Sequence, residues 1–346
     1  MSKQKINYLT LASVVSAFAV VMLHTNGVFW FFSTERYWAT ANVIDAILYF
    51  AVPVFFMISG ATLIDYRDRY TTKEFFEKRI NKAFIPFVAW ILFGTVFTRI
   101  LNEKPLLPSS LEEWREVFVN IINNQVIDIY WFFTPLFGAY LCIPLLSAVE
   151  KSIRLRVFQY LIGAALVFNI ALPFISNVFS LGYTNFLGVD VAGGYLFWVL
   201  VGYVLNKQTL GKQWRVGCYM LGIIGLLIQI VGTYMTSMKA GDLVTLYKGY
   251  VNLPSVLYSI AIFVFIKDLG EKIKSEKIWS FINWLGKYTF AIYLIHWFVM
   301  TTIGEALQVN YASIIYRLGA PLLICAICIL ITWLMRKIPI LKKIVP

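Results

Sequence analysis

Long apolar runs separated by short polar stretches set the first expectation for this chain. Runs able to cross a bilayer core, which needs about 20 helical residues, lie near Ile6–Phe31, Val43–Ile64, Ala83–Leu101, Tyr130–Val149 and Val157–Phe174. They continue near Ala192–Leu205, Val216–Tyr234, Asn252–Ile266, Trp279–Thr302 and Ile314–Met335, the sixth and eighth being short. The runs are continuously apolar rather than alternating, which predicts helices and not the strands of a membrane barrel. No internal repeat or low-complexity stretch interrupts them. The pattern predicts an all-α polytopic bundle of about ten transmembrane helices, in one integral membrane domain over residues 1–346. The first run follows Met-Ser-Lys-Gln-Lys, is too long for a signal peptide and lacks a small-residue cleavage site. A retained first helix is expected.

Composition agrees: 60% of residues are hydrophobic, 17% aromatic and 14% charged, against roughly 25% charged in an ordinary soluble domain. Charge then orients the bundle. With the N-terminus cytoplasmic, all but Arg36, Arg99, Lys104, Arg115, Lys239, Lys248 and Arg317 of the 30 basic residues fall on the inner side. That bias places both termini in the cytoplasm. It also accounts for most of the +12 net charge without nucleic acid as a partner. The lipid bilayer is the expected partner, and multi-pass residence in the cell membrane the expected location.

Two outer segments are long enough to matter. Ser109-Ser110-Leu-Glu-Glu113 reads as a helix start. Trp114, Val117, Phe118 and Ile121 follow at helical spacing, so a short amphipathic helix at the outer interface is expected. Residues 25–42 are aromatic and end in Glu35-Arg36-Tyr37-Trp38. Interface anchoring and carbohydrate stacking are both open readings for them.

Candidate chemistry is sparse. Cys142, Cys218, Cys325 and Cys328 lie in or beside apolar runs and read as packing residues rather than as disulfides or metal ligands. Two histidines in the whole chain exclude a histidine-rich centre, and no metal is expected. Both histidines lie at membrane depth, where an ionisable side chain is costly to bury. His24 stands 18 residues beyond Ile6, roughly 27 Å along an outward-going helix. His296 stands 17 residues beyond Trp279, roughly 25 Å along a helix of the same direction. Both therefore reach the outer half of the membrane and can share one cavity. On the inner side, Arg79 and Lys82 are three apart at the mouth of a helix. Phosphate binding and simple topology signalling both fit them.

Several stretches, spread over essentially the whole chain, carry a likeness to a known family. They are Tyr8-Leu9…His24-Thr25, Val54-Phe-Phe-Met-Ile-Ser59-Gly60, Lys78-Arg79-Ile-Asn-Lys82…Ile85-Pro86, Trp131-Phe132…Tyr140-Leu141…Pro144-Leu145, Gly202-Tyr203 and Gly286-Lys-Tyr288…Ile292-Tyr293-Leu-Ile-His296. Together they resemble the acyltransferase-3 family of integral membrane acyltransferases, which O-acylate cell-envelope glycans. The resemblance implies acyl-CoA, taken as acetyl-CoA, as donor substrate, and a hydroxyl of an extracytoplasmic or lipid-linked saccharide as acceptor. It implies His24 as the catalytic residue, acting as general base or nucleophile. It assigns the donor phosphates to Arg79 and Lys82, a pair of Arg-x-x-Arg type in which lysine supplies charge without the bidentate fork. Asn26, Ser59 and Tyr293 are candidates to orient substrate or stabilise an oxyanion, and Asp45 or Glu35 to orient the imidazole. His296 is either a contact of the site or a packing residue. The sequence departs from the family at Thr10 and Ser13, where relatives commonly carry an acid and an arginine, and at Tyr130, where histidine is frequent. The competing reading is a secondary transporter or flippase of lipid-linked glycan. It requires repeat symmetry or deep acidic residues, and the sequence offers no convincing repeat. Acceptor identity, acyl chain and monomer against homo-oligomer are not legible.

Overall fold

A computed structural model describes residues 3–182 and 192–346. The described residues are mostly helical and contain no strand. Helix α1 spans Lys3–Thr25 and is followed by a 3-10 turn, Gly27–Trp30. Helices α2 (Arg36–Leu48) and α3 (Ala51–Leu63) return, α4 (Thr72–Arg79) turns along the inner side, and α5 (Ile85–Leu101) crosses outward. Helix α6 (Leu111–Ile122) and a 3-10 segment, Asp128–Phe132, lead into α7 (Phe133–Ala148). Next come α8 (Lys151–Ala165), α9 (Leu172–Phe179), α10 (Tyr195–Lys207), α11 (Lys212–Ala240) and α12 (Leu253–Lys272). The chain closes with α13 (Glu276–Gly286), α14 (Thr289–Leu307) and α15 (Ile314–Met335).

Nine stretches among the described residues are long and apolar enough to cross a membrane. The sixth expected span differs: α10 has only 13 residues and is almost wholly buried. It runs parallel to α3, because its C-terminal residues Tyr203 and Lys207 reach Asp65 just beyond the end of α3. Counting α10, the described residues make ten passes, so the start of α1 and the end of α15 lie on one side. The ninth expected span is also corrected. It divides at Lys287–Tyr288 into α13, an inner helix exposing Ile278, Phe281 and Trp284, and α14. The depth of His296 is therefore not set by counting from Trp279. It is set by packing of α14 on α1, where the Ser13 hydroxyl donates to Thr289 Oγ1 at 3.0 Å.

Helix α1 is the centre of the bundle, packed against α3, α12, α13, α14 and α15. Its sequence explains this. Ala12, Ser16 and Ala19 are small and fully or nearly fully buried. Small residues at such spacing let helices approach closely in lipid, where dispersion contacts drive association. Helices α3 and α10 approach closely at Gly60 and Gly202. A Cβ on Gly202 would meet the Met57 carbonyl oxygen, and one on Gly60 the Val199 carbonyl.

Irregular backbone clusters where proline removes an amide. Pro86 and Pro173 each follow a π-helical turn, at Ile80–Phe84 and Leu166–Ala171. In both, the proline offers no N–H to the carbonyl four residues before it, so the α-helical bond there cannot form. Pro53 likewise deprives the Tyr49 carbonyl of its helical partner, and the second span breaks between α2 and α3 at Tyr49–Phe50.

The outer helix α6 forms with its expected cap: Ser110 Oγ accepts from the Glu113 amide at 3.2 Å. The Glu113 carboxylate accepts from the Ser109 amide and from Arg99. The Ser109 amide foremost, with Arg99, holds Glu113 below its ordinary pKa. The apolar residues of α6 divide between two directions: Trp114 and Phe118 are exposed, whereas Val117 and Ile121 are partly buried.

The α3–α10 contact yields a direct expectation. Gly202→Ala should lower unfolding stability in detergent by about 1–3 kcal/mol or more, since backbone atoms must move apart. Gly217→Ala on α11, with nothing within 4 Å of the added Cβ, should be neutral or slightly stabilising. Equal thermal midpoints for the two variants would refute the packing argument.

Candidate functional site

The site is built from the outer end of α1. Its last turn is tied down by Thr25, whose hydroxyl lies 3.2 Å from the Arg317 carbonyl and 3.1 Å from Met22 O. Asn26 then ends the helix, donating to Ala41 O at 2.8 Å and accepting from Arg317 at 3.3 Å. Arg317 is 1% exposed. It also donates to Tyr37 O, Thr40 Oγ1 and Ala312 O, so the cation binds the start of α2 to α15 through neutral acceptors alone. These bonds hold the turn that presents His24.

His24 lies on the wall of a cavity of about 430 Å³, within the range typical of small-molecule sites. Trp30, Phe31 and Asp128 are exposed at its outer rim, and Tyr49, Trp131, Tyr250, Tyr293 and Trp297 form aromatic walls. Tyr49 and Tyr250 stack at 4.4 Å between ring centroids. The His296 ring lies 5.2 Å from that of His24, tilted by 35°. His296 is fully buried, and its Nδ1 lies 2.9 Å from the Ile292 carbonyl. A carbonyl only accepts, so that nitrogen carries the proton. Nε2 is then a lone-pair acceptor, and it has no partner. The two histidines of the chain thus meet, with His24 on the cavity and His296 packed beside it.

A pair of reciprocal bonds holds the 3-10 segment against α14. The Tyr130 hydroxyl donates to Leu294 O at 2.6 Å, and the Tyr293 hydroxyl donates to Ile129 O at 2.5 Å. Tyr130 is fully buried there. Each tyrosine satisfies a carbonyl of the other's segment, as buried backbone at membrane depth requires.

The other expected site residues fall in different places. Asp45 lines the cavity, but its carboxylate is bound to Lys248 at 2.6 Å rather than to an imidazole, and the two side chains are 3% and 1% exposed. The Lys248 ammonium also sits 3.7 Å from the centre of the Phe29 ring, a favourable cation–π contact. Glu35 is exposed at the start of α2 and does not line the cavity. Asn26 is buried and bonded as described. Ser59 lies on a second, inner cavity and donates to Phe55 O at 3.1 Å. On the inner face the Arg79 guanidinium lies 5.6 Å from the Tyr140 ring centre, and Lys82, within the π-turn, is exposed. At the divergent positions, Thr10 packs against Gly286 and Ser13 bonds Thr289.

Sequence reading missed Lys248, Asp128, Tyr49 and Tyr250. A signal existed for the first: an aspartate inside an apolar run requires a cation, and Lys248 is one of the few basic residues on the outer side. Asp128 fell just outside the expected start of the fourth span, and nothing in the pattern marked it.

The Asp45–Lys248 pair gives a stability test. Breaking a buried pair leaves one charge uncompensated and costs about 3–5 kcal/mol. Lys248→Met should therefore destabilise strongly, and adding Asp45→Asn should recover most of the loss. Additive losses in a double-mutant cycle of thermal unfolding would show that the pair is not coupled.

The described residues hold no group of three or more His, Cys, Asp or Glu side chains suited to a metal ion. No curated protein and no solved structure matches the chain. A family model does, described as an acyltransferase domain, and its match runs over residues 6–336, from the first helix through the last. A polytopic helical bundle with a partly buried histidine on an outer cavity is thereby identified by family as well as by architecture: the chain belongs to the acyltransferase-3 family.

Proposed function

We propose that the protein moves an acyl group, acetyl in the simplest case, from cytoplasmic acyl-CoA to a hydroxyl of an extracytoplasmic or lipid-linked saccharide. The observation that carries this reading is His24 on the wall of a cavity whose rim is exposed on the outer side. In the proposed step, unprotonated His24 takes the proton of the acceptor hydroxyl as its oxygen attacks the thioester carbonyl. The carbon–sulfur bond breaks, the thiolate of CoA leaves, and the proton passes from the imidazolium to that thiolate. Proton inventory and charge both close, with no further reactant.

His296 is a positioning residue in this scheme. With Nδ1–H committed to Ile292 O, its Nε2 offers an acceptor beside His24. An acceptor there favours one ring orientation and supports the imidazolium as it forms, the role a third group plays for other catalytic bases. The aromatic walls and the Asp128 carboxylate suit a polyhydroxylated acceptor, whose apolar faces stack on rings while its hydroxyls donate to an acid. On the inner side Arg79 and Lys82 supply positive charge for the CoA phosphates. Tyr293, Ser59 and Asn26 each give a proton to a backbone carbonyl. Service as oxyanion donors requires them to exchange those bonds.

Two measurements test the reading on purified protein in lipid. His24→Ala should retain acyl-CoA binding and lose transfer by about 10²–10⁴-fold, the usual contribution of a positioned base. Wild-type rates in a folded His24→Ala protein would end the proposal. Exchanging Arg79 and Lys82 together for Gln should raise KM for acetyl-CoA, with little change for S-acetylpantetheine, which has no phosphates. An equal effect on both donors would remove the phosphate role.

A further inference from the structure

Helix α14 turns one face, with Tyr293, Trp297 and Met300, to the His24 cavity. Another face, with Ile295, Phe298 and Val299, lines an apolar groove of about 640 Å³. Helix α5 supplies Trp90 and Phe93 to this groove, and α15 supplies Ile327, Ile331 and Met335. The Phe298 ring lies 5.3 Å from that of Trp90 and 5.0 Å from that of Phe93, so α5 and α14 meet through aromatic contact. Among the lining residues only Trp90 and Thr302 carry a polar side-chain atom, and the Trp90 indole N–H is committed to Ile344 O at 2.9 Å. A polar ligand would lose its hydration here without replacement, whereas hydrocarbon meets no such cost.

Depth and charge narrow the occupant. From Ile327 to Met335 the wall follows α15 for eight residues, roughly 12 Å at 1.5 Å per residue. That is most of one leaflet of a core about 30 Å thick. It is the inner leaflet, because Met335 ends α15. A transmembrane helix from a second copy would be matched over only about half its length. At the inner end, residues 341–345 fold back under the groove. Trp90 holds Ile344 O, Arg336 Nε donates to Val345 O at 3.1 Å, and Val345 is fully buried. Leu341 and Ile344, three apart at a 3-10 turn, line the groove together. That turn sets Lys342 and Lys343, both exposed, at the inner rim, and exposed Lys337 stands two residues beyond Met335. None of these three lysines pairs with a carboxylate among the described residues. Neither α5, α15 nor residues 336–346 contain an acidic residue.

We propose that the groove binds one acyl chain of an anionic phospholipid of the inner leaflet, whose phosphate is held by Lys337, Lys342 and Lys343. Within a bilayer the chain exchanges one hydrocarbon contact for another, so packing seats it and the headgroup selects it. Near the membrane surface each lysine raises affinity for an anionic lipid by about fivefold. The bound lipid completes the packing of the α14 face turned away from the His24 cavity, and steadies the helix that carries His296. The site needs neither an acyl donor nor an acceptor, so it stands or falls apart from the transfer reaction.

The test uses the full chain in phosphatidylcholine nanodiscs, with a trace of phosphatidylglycerol that carries a diazirine on its acyl chain. Irradiation should label residues 89–97, 295–303 and 327–335, which wall the groove. A diazirine phosphatidylcholine of the same chain length should label them at least about fivefold less. Lys337→Gln, Lys342→Gln and Lys343→Gln together should lower phosphatidylglycerol labelling by at least about fivefold. Equal loss of charge at the inner ends of α11 and α12, by Lys212→Gln, Lys272→Gln and Lys274→Gln, should leave it unchanged. Ala89→Trp fills the groove and should lower labelling with all the lysines in place; Ala89→Leu should do so less, and serves if the larger side chain prevents folding. Equal labelling by the two lipids, or equal loss with either set of lysines, overturns the site. Label spread evenly over the exposed face of α11 does the same. An unlabelled groove in a protein whose copies form a disulfide through Ile331→Cys, the native cysteines being replaced, gives the groove to a second copy and overturns the proposal.

Discussion

Within a bilayer core a polar group has no water to turn to, and the whole site depends on that constraint. Each hydroxyl, amide or charge near His24 must find its partner inside the bundle. The tyrosines of the 3-10 segment and of α14 bond each other's backbone. Arg317 gathers four neutral acceptors from the turns around the outer end of α1. Asp45 and Lys248 neutralise each other from helices and loops that are far apart in sequence. His296 commits one nitrogen to its own helix, its other nitrogen has no partner, and its ring lies 5.2 Å from that of His24. These partnerships make the cavity wall rigid, and they also leave few polar atoms free to meet a substrate.

The irregular segments serve the same end. A helix satisfies its own backbone but presents side chains only at helical spacing. The break at Tyr49–Phe50 and the 3-10 segment at Asp128–Phe132 place Tyr49, Asp128 and Trp131 on one cavity with His24. Broken helices are tolerated at membrane depth where they are buried in protein or line a cavity. Both breaks lie against this one. The small residues of α1 complete the arrangement, since they let five helices close around the segment that carries the imidazole.

How much of this could be read in advance differs by kind of feature. The α6 cap was legible because capping is local: Ser110 and Glu113 are three residues apart and need nothing else. His24 was legible because an imidazole in an apolar run is conspicuous. The division of α13 from α14 was not, since Gly286-Lys-Tyr288 leaves the hydropathy nearly unbroken and only packing on α1 makes two helices of it. The same count that misplaced the start of α14 still paired the two histidines, because the contact of Ser13 with Thr289 brings them together by another route. Lys248 was counted toward topology alone, although its charge is spent on Asp45.

The amino-acid sequence by itself determined the class of protein, and it supplied an expected orientation and a candidate base. Those follow from transfer free energies of single segments and from charge near their ends, which are sums over neighbouring residues. Only the tertiary structure decided that His296 stands beside His24, that Asp45 is neutralised by Lys248, and that α5, α14 and α15 wall one apolar groove. Each of those joins residues from helices distant in the chain. In a membrane every such meeting is set by side-chain packing and internal hydrogen bonds, which hydropathy alone does not encode.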